Sequence, residues 1–535
     1  MDSRDGYRGV QTKICDRSLT QEINEDFSLP DYQPEIRRLL KVDVALPPLA
    51  KYIGAGKAEF SGDVIYNILY IGSDNGLYSC RLSTEYAFDA PLDNDKNCDM
   101  SENIVCFAKA SPDSVVSRVT APRKLNIRCR LKAKVCAATI RTISEQTSGL
   151  FEPANLERLT DSADTAFFCH GVSEPLSVGD DIIPESHSTG DRLLRVISSE
   201  GTVFITETNA VQGAVNCRGD LNLKIMYCYE NSDGSAPAQS GSSALTLPQI
   251  MQRKIPINVS VELDGAMPGD DCRAWGYCPE ISVIVEDGRF LCSGEIVAEA
   301  ETQRNGKVPF TRDMYATDRE CLCSYTDCEM PIALRCANGN FTQSGSVQLS
   351  DISVAPGSSI IDISGYASAD KVEFDHGKYI ITGNCRYTCL LSDGEELFTK
   401  EFELPMRYEV DGDNNSEGKS GSDGLEVNVD VFPVSCRARI DGERIGVDTE
   451  MSVSMRICKD RKVTVLSQAS FGEKTEKPKG VFRICYPSAD DSLWSVAKRY
   501  QIKLKDLESA NELTQNQFVK RNSSSSLDGI KFLVV

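Results

Sequence analysis

One order of features is written three times in this chain, and an internal repeat of that size constrains the fold more than any single motif. The first copy runs IRRLLKVDVALPPLAKYIGAGKAEFSGDVIYNILYIGSDNGLYSCRLSTEYAFDAPL over 36–92. The second runs DRLLRVISSEGTVFITETNAVQGAVNCRGDLNLKIMYCYENSDG over 191–234 and resumes through 243–259, and the third runs SSIIDISGYASADKVEFDHGKYIITGNCRYTCLLSDGEELFTKEFELPMRYEV over 358–410. Each has an apolar lead-in, a turn, an alternating strand, a polar turn with Asp or Asn, and a strand ending near a proline. Lead-ins centred on Val42, Val196 and Ile363 precede strand ends at Tyr70, Tyr227 and Leu390 by 28, 31 and 27 residues. Downstream, each copy restarts near an arginine (Arg118, Arg273, Arg437, at intervals of 155 and 164 residues) with a further strand pair over 117–137, 272–300 and 436–458. A unit of about 160 residues is the size of a domain rather than of a solenoid repeat.

Inside the copies the period is two. Ile65, Asn67 and Leu69 alternate with Tyr66, Ile68 and Tyr70, and Leu221, Leu223 and Ile225 alternate with Asn222, Lys224 and Met226, the signature of strands with two unlike faces. GSDNG (72–76), NSDG (231–234) and SDG (392–394) supply Gly and Asn where a hairpin needs positive φ, so the strands return antiparallel. The expected fold is mainly β: three repeated antiparallel β-sandwich or open-barrel domains over 14–150 (core 36–137), 165–305 (core 191–300) and 315–475 (core 358–458), followed by a small block at 481–535. Gly/Ser-rich stretches at 231–243 and 411–424 read as long loops within the second and third domains.

With 79 acidic against 58 basic residues the net charge is −21, which repels nucleic-acid phosphate; no nucleic-acid partner is expected. The amino-terminal stretch has no apolar run of signal-peptide length, and no stretch approaches the roughly 20 apolar residues of a spanning helix, so a cytosolic location is expected. The 21 cysteines are scattered and odd in number and read as reduced thiols. CLCSYTDCEMPIALRC (321–336) places four thiols in one stretch, but at spacings unlike the paired knuckles of structural zinc, so they read as small buried residues. His170, His187 and His376 lie in loop-like segments without a nucleophile nearby, and IGAGKAEF (53–60) lacks the spacing of a phosphate-binding loop. No catalytic, cofactor or metal residue is nominated.

The final block differs in kind. In DDSLWSVAKRYQIKLKDLESANEL (490–513), Leu493, Val496, Ala497 and Tyr500 stand at i, i+3, i+4 and i+7, one apolar stripe on a helix capped by Asp490 or Asp491. Leu504 and Leu507 mark a second helix, and Asn511 suits a left-handed cap at its end. VFRICY (481–486) and IKFLVV (530–535) are strand-like, and two short helices cannot bury their faces alone, so a β-α-α-β arrangement follows. The block carries eight basic residues against six acidic ones, a net of +2, leaving −23 on everything before it. That asymmetry suits contact with an acidic protein, or simply solvates two helices.

AEFSGDVIYNILYIGSDNG, its Pro-ended strand and RKLNIRCRLKAKV resemble the SPOCS domain of spore-coat-associated bacterial proteins, in three copies over most of 14–475. The order D-S-L-W, a small and apolar helix, R-Y-x-I and L-x-x-A-N-x-L resembles the LysM domain over 481–535. That resemblance implies a groove for N-acetylglucosamine polymers formed by Asp490, Asp491, Ser492, Leu493 and Trp494 on one side and Asn511, Glu512 and Leu513 on the other. The chain departs from the usual Gly-Asp-Thr at Asp490-Asp491-Ser492, which adds a charged side chain where a neutral sugar would approach. The combination resembles the clostridial spore-envelope morphogenesis family. It implies a non-enzymatic scaffold made in the mother-cell cytoplasm, peripheral at the developing spore surface. Its LysM domain would dock the sporulation ATPase that polymerises there, with other coat proteins as further partners; the alternative is a peptidoglycan-binding protein.

Overall fold

The computed structural model describes residues 9–54, 56–93, 104–143, 146–148, 155–184, 192–230, 247–411, 425–474, 483–488, 491–511 and 532–535. The stretch 231–243, all of 411–424 beyond its first residue, and His187 lie outside these. The described residues are mainly β, in repeated antiparallel sheets, with two short helices near the carboxyl end.

In the first repeat, Gly9–Ser28, Lys124–Thr142 and Ile104–Ala121 lie side by side in one sheet. Ile36–Ala45 and Ala50–Gly54, then Lys57–Gly72, then Leu77–Pro91 form the other. The same path recurs twice. Leu156–Val172 and Leu176–Ile182 flank Arg289–Ala316 and Asp271–Glu286, opposite Arg192–Val211, Ala214–Glu230 and Gln249–Glu262. Ile332–Gln348 flanks Arg444–Lys459 and Leu425–Asp441, opposite Ser359–Asp375, Lys378–Ser392 and Leu397–Asp411. Each time the chain begins in one sheet, makes a three-stranded meander in the other, and returns as a hairpin whose last strand pairs with the first.

Period two decides what lies between the sheets. Val64, Tyr66, Ile68 and Tyr70, then Leu221, Leu223, Ile225 and Tyr227, then Cys385, Tyr387, Cys389 and Leu391 all point inward and are buried. Each large apolar side chain so buried contributes about 1.5–3 kcal/mol relative to exposure. The meander turns use the residues suited to them: Asn75 sits at φ 65° and Gly394 at φ 95°.

The first strand of every meander carries a β-bulge at one equivalent place, where Leu40, Ile197 and Ile361 are the extra residues. Just past the bulge, Lys41 pairs with Leu69, Ser198 with Met226 and Asp362 with Leu390, a separation of 28 residues in every repeat. This corrects the alignment of the copies: Val42 corresponds to Ser199 rather than Val196, and Leu390 to Leu69 and Met226 rather than to Tyr70 and Tyr227. The bulged Leu40, Ile197 and Ile361 are turned out of their own sandwiches and meet Leu69, Met226 and Leu390 in one apolar cluster shared by all three repeats.

The repeats close on one another. Leu77–Pro91 packs on Arg192–Val211, Gln249–Glu262 on Ser359–Asp375, and Leu397–Asp411 on Ile36–Ala45, a head-to-tail contact that returns to its start after three steps. Two of these junctions carry the same hydrogen bond, from Ser79 Oγ to the carbonyl of Ile197 and from Thr399 Oγ1 to the carbonyl of Leu40. Beside the apolar cluster, Lys224 Nζ bridges Glu200 at 3.1 Å and Asp362 at 2.9 Å, joining the second repeat to the third. Deeper still, Arg273 Nη2 and Nε lie 2.8 and 2.9 Å from one oxygen of Glu301, and Arg456 Nη1 of the third repeat lies 3.2 Å from it. Lys109 of the first repeat pairs with Asp430 of the third at 3.1 Å and covers the rings of Phe432 and Trp275. Burial pushes the Glu301 carboxyl up, but the two guanidiniums outweigh it and hold it down at about 2.

Arg289–Ala316 and Leu156–Val172 run on past their sandwich, while Arg319–Glu329 pairs with Lys462–Lys474, which takes Gln146–Ser148 in parallel on its other edge. Leu156, Met314, Leu466, Ala469 and Phe471 fill the space between these extensions and make them a platform. The stretch 321–336 is divided by this arrangement: Cys321 and Cys323 sit half-buried on the platform with sulfurs 3.7 Å apart, whereas Cys336 is buried on the next strand, beside the charged centre.

Candidate functional site

The carboxyl-terminal module is a β-α-α-β unit: Ile484–Cys485, α1 (Leu493–Tyr500), α2 (Leu504–Ala510) and Leu533–Val534, with the two strands antiparallel. Leu493, Val496 and Ala497 of α1 are buried against Leu507 of α2 and against Cys485 and Leu533 of the hairpin, the apolar stripe that the spacing predicts. The N-cap of α1 is Ser492. Its Oγ accepts from Ser495 N at 3.1 Å and Ser495 Oγ accepts from Ser492 N at 2.8 Å, a reciprocal capping box.

Asp491 stands one residue before that cap and is buried. Its carboxylate accepts from the backbone N and the hydroxyl of Ser488 at 3.0 and 2.9 Å and from the Arg499 guanidinium. The Ser488 N–H first, then Arg499, hold its carboxyl down at about 2. Leu493 is in the core. Asn511 has φ −110°, so the left-handed cap expected there is absent; the left-handed residue is Gln501 at φ 53°, which ends α1. Asn511 instead clamps the module. Its Nδ2 donates to the carbonyls of Leu507 and Val534, both at 2.8 Å, and its Oδ1 accepts from Val534 N at 2.7 Å. Asp490, Glu512 and Leu513 lie outside the described residues.

Trp494 points elsewhere. Its indole N–H donates to Asp313 Oδ2 at 2.7 Å, and its ring meets Tyr315 edge-on with centroids 4.8 Å apart. Lys498 Nζ reaches Asp313 Oδ1 at 2.6 Å, the Tyr315 hydroxyl donates to the Ile502 carbonyl at 2.8 Å, and Gln501 Nε2 donates to the Arg319 carbonyl at 3.1 Å. Asp313, Tyr315 and Arg319 all belong to the platform and lie more than 170 residues away in the chain, so no local sequence signal connects them to the module. A cleft of about 370 Å³ opens at this junction, lined by Asn155 and Thr317 of the platform and by Ile502, Asp506, Leu507 and Ala510 of the module.

The family described as "SipL, SPOCS domain" matches residues 193–286, and the LysM domain family matches 488–520. The chain thus carries a SPOCS domain and a LysM domain. No curated protein and no solved structure matches it. The SPOCS match takes in the meander of the second repeat and the following strand Asp271–Glu286, and the LysM match takes in both helices. The SPOCS match supports a sporulation-related protein, LysM is a peptidoglycan-binding type of domain, and both are binding rather than catalytic domains. Among the described residues no helix is long and apolar enough to cross a membrane. Of the groove expected for the LysM domain, Asp491 and Asn511 are brought to the two loops that flank the helices, but each has its polar atoms occupied by the module itself, and Trp494 faces the platform.

Proposed function

We propose that this SPOCS-plus-LysM protein is a non-enzymatic scaffold of the spore coat or envelope. It tethers coat material to the forespore surface from the mother-cell side, its LysM domain docks the sporulation ATPase that polymerises there, and its SPOCS repeats contact other coat proteins. The observation that carries this reading is the internal engagement of Asp491 and Asn511, polar groove side chains among the described residues that flank the helices. The Asp491 carboxylate is engaged by Ser488 and Arg499, and both N–H donors of the Asn511 amide go to Leu507 and Val534 while its oxygen already accepts from Val534 N, so neither side chain has a donor for a sugar acetamide. The charge of +2 on 481–535 against −23 on the rest favours an acidic protein surface as the docking partner. A pull-down from sporulating cells tests it: the full chain retains the ATPase and a chain lacking 481–535 loses it, whereas retention of every partner by the shortened chain contradicts the proposal. The second reading, a peptidoglycan- or N-acetylglucosamine-binding protein, draws on the LysM match at 488–520. Co-sedimentation with purified peptidoglycan separates the two.

A further inference from the structure

The LysM domain is joined to the SPOCS ring by more than its connecting chain. Asp313 lies just past a β-bulge in the strand Arg289–Ala316, where Arg312 is the extra residue between Thr311 and Asp313, and a bulge of this kind re-aims the side chain that follows it. The re-aimed carboxylate accepts from three donors of different origin: the Tyr325 hydroxyl at 2.7 Å on the neighbouring platform strand, Trp494 Nε1 at 2.7 Å and Lys498 Nζ at 2.6 Å on α1. Trp494 and Lys498 are i and i+4 on one helix face, so the carboxylate holds that face at two points one turn apart. Tyr315, two residues beyond Asp313, supports the indole edge-on and bonds the Ile502 carbonyl, and Gln501 reaches the Arg319 carbonyl. Gln501 keeps a left-handed φ of 53° at a helix end where glycine carries no such cost, and its side chain contributes a bond that glycine lacks.

We infer that Asp313 is a positioning residue for the LysM domain: it clamps the Trp494–Lys498 face of α1 onto the SPOCS platform, so that the module is presented in one fixed orientation and Trp494 belongs to the mount rather than to the ligand surface. The inference is independent of whether the module's partner is a protein or a glycan. It implies that a partner meets the module on faces other than the Trp494 side of α1, and that the ring and the module move as one body.

The test uses the full chain. It has two tryptophans, and Trp275 is buried at 4 % exposure, so acrylamide quenching of intrinsic fluorescence reports on Trp494 once the signal of matched Trp494→Phe proteins is subtracted. Asp313→Ala removes all three acceptor contacts; Lys498→Met removes one from a half-exposed helix position without touching the module core. The quenching constant of Trp494 is expected to rise at least twofold in Asp313→Ala and by less in Lys498→Met, with Asp313→Asn, which keeps one of the two acceptor oxygens but loses the other and the charge, between them. Hydrogen exchange at Val534 N, which Asn511 holds inside the module, is expected to stay as slow as in the parent chain. Unchanged quenching in both Asp313→Ala and Lys498→Met overturns the inference, and so does quenching that rises only together with loss of Val534 protection, because the module would then be unfolding rather than dismounting.

Discussion

The buried charge at the centre of the ring gives the sharpest prediction about what holds the three repeats together. Arg273 is fully buried, Arg456 is 4 % exposed, and both depend on one oxygen of Glu301, which is 1 % exposed. Glu301→Gln keeps the shape and removes the charge, leaving two guanidiniums from different repeats in the interior; Asp430, 4.0 Å from Arg273, is already shared with Lys109. Breaking a buried pair from one side costs about 3–5 kcal/mol, whereas replacing all of its members with apolar residues of similar volume is often neutral or stabilising. Chemical denaturation of the full chain, read as the shift of the first transition midpoint at constant slope, is therefore expected to show a loss of about 3–5 kcal/mol for Glu301→Gln and a loss smaller than about 1 kcal/mol for Arg273→Met/Glu301→Leu/Arg456→Met. The pH dependence has a definite sign. The folded carboxyl sits at about 2, below its ordinary value, so its contribution is complete above the ordinary carboxylate range and fades only as pH falls toward about 2. The Gln variant should lose that part of the acid dependence. A cost under about 1 kcal/mol for Glu301→Gln, or a triple replacement as damaging as the single one, would refute the reasoning.

Further outcomes follow from other parts of the molecule. Asn511→Ala leaves Val534 N without its acceptor and is expected to cost the module about 1–3 kcal/mol, seen as faster exchange at Val534 while the ring sheets are unchanged. Leu69→Ala, in the cluster where the three repeats meet, should cost about 2–5 kcal/mol in the same denaturation assay. The mount should weaken in acid. Burial raises the Asp313 carboxyl, but Lys498, Trp494 and Tyr325 outweigh this and hold it below its usual value, with the Cys321 and Cys323 thiols as the other titratable groups packed beside it. Trp494 quenching should accordingly stay low through the neutral range and rise as pH drops below the ordinary carboxylate range. At Gly219 an added Cβ would fall 1.9 Å from the Phe204 carbonyl oxygen, so Gly219→Ala is expected to cost about 1–3 kcal/mol, measured by the denaturation midpoint.

The strands and hairpins were legible because period two and turn chemistry act locally: the inward set Tyr66, Ile68, Tyr70 follows from alternation alone, and Asn75 and Gly394 sit at the turns their tracts announce. Equivalence between the repeats was less legible. The lead-in bulges insert Leu40, Ile197 and Ile361 into the alternation, so the apolar peaks place Val196 opposite Val42, three residues from Ser199, which the pairing makes its counterpart. A better anchor stood in the sequence: Gly62, Gly219 and Gly383 each lie seven residues before Leu69, Met226 and Leu390. At the latter two the opposite strand comes so close that a Cβ would lie 1.9 Å from a carbonyl oxygen, Phe204 in one case and Ser368 in the other. The helix stripe of the module was legible for the same local reason as the strands. Its cap fell on Ser492 rather than on an aspartate because Asp491 is drawn back to Ser488 and Arg499. The mount on Asp313 and the closure of the ring join residues far apart in the chain, and neither periodicity nor spacing carries that information.

The central claim is that the LysM domain docks a protein at the forespore surface while the SPOCS ring serves as its base. Binding of the purified sporulation ATPase to the full chain, to the chain lacking 481–535, and to the full chain in the presence of excess peptidoglycan fragments tests it most directly. The account predicts binding by the full chain, loss of binding on removal of 481–535, and no competition from the fragments. Equal binding by the shortened chain, or displacement of the ATPase by peptidoglycan, would contradict it.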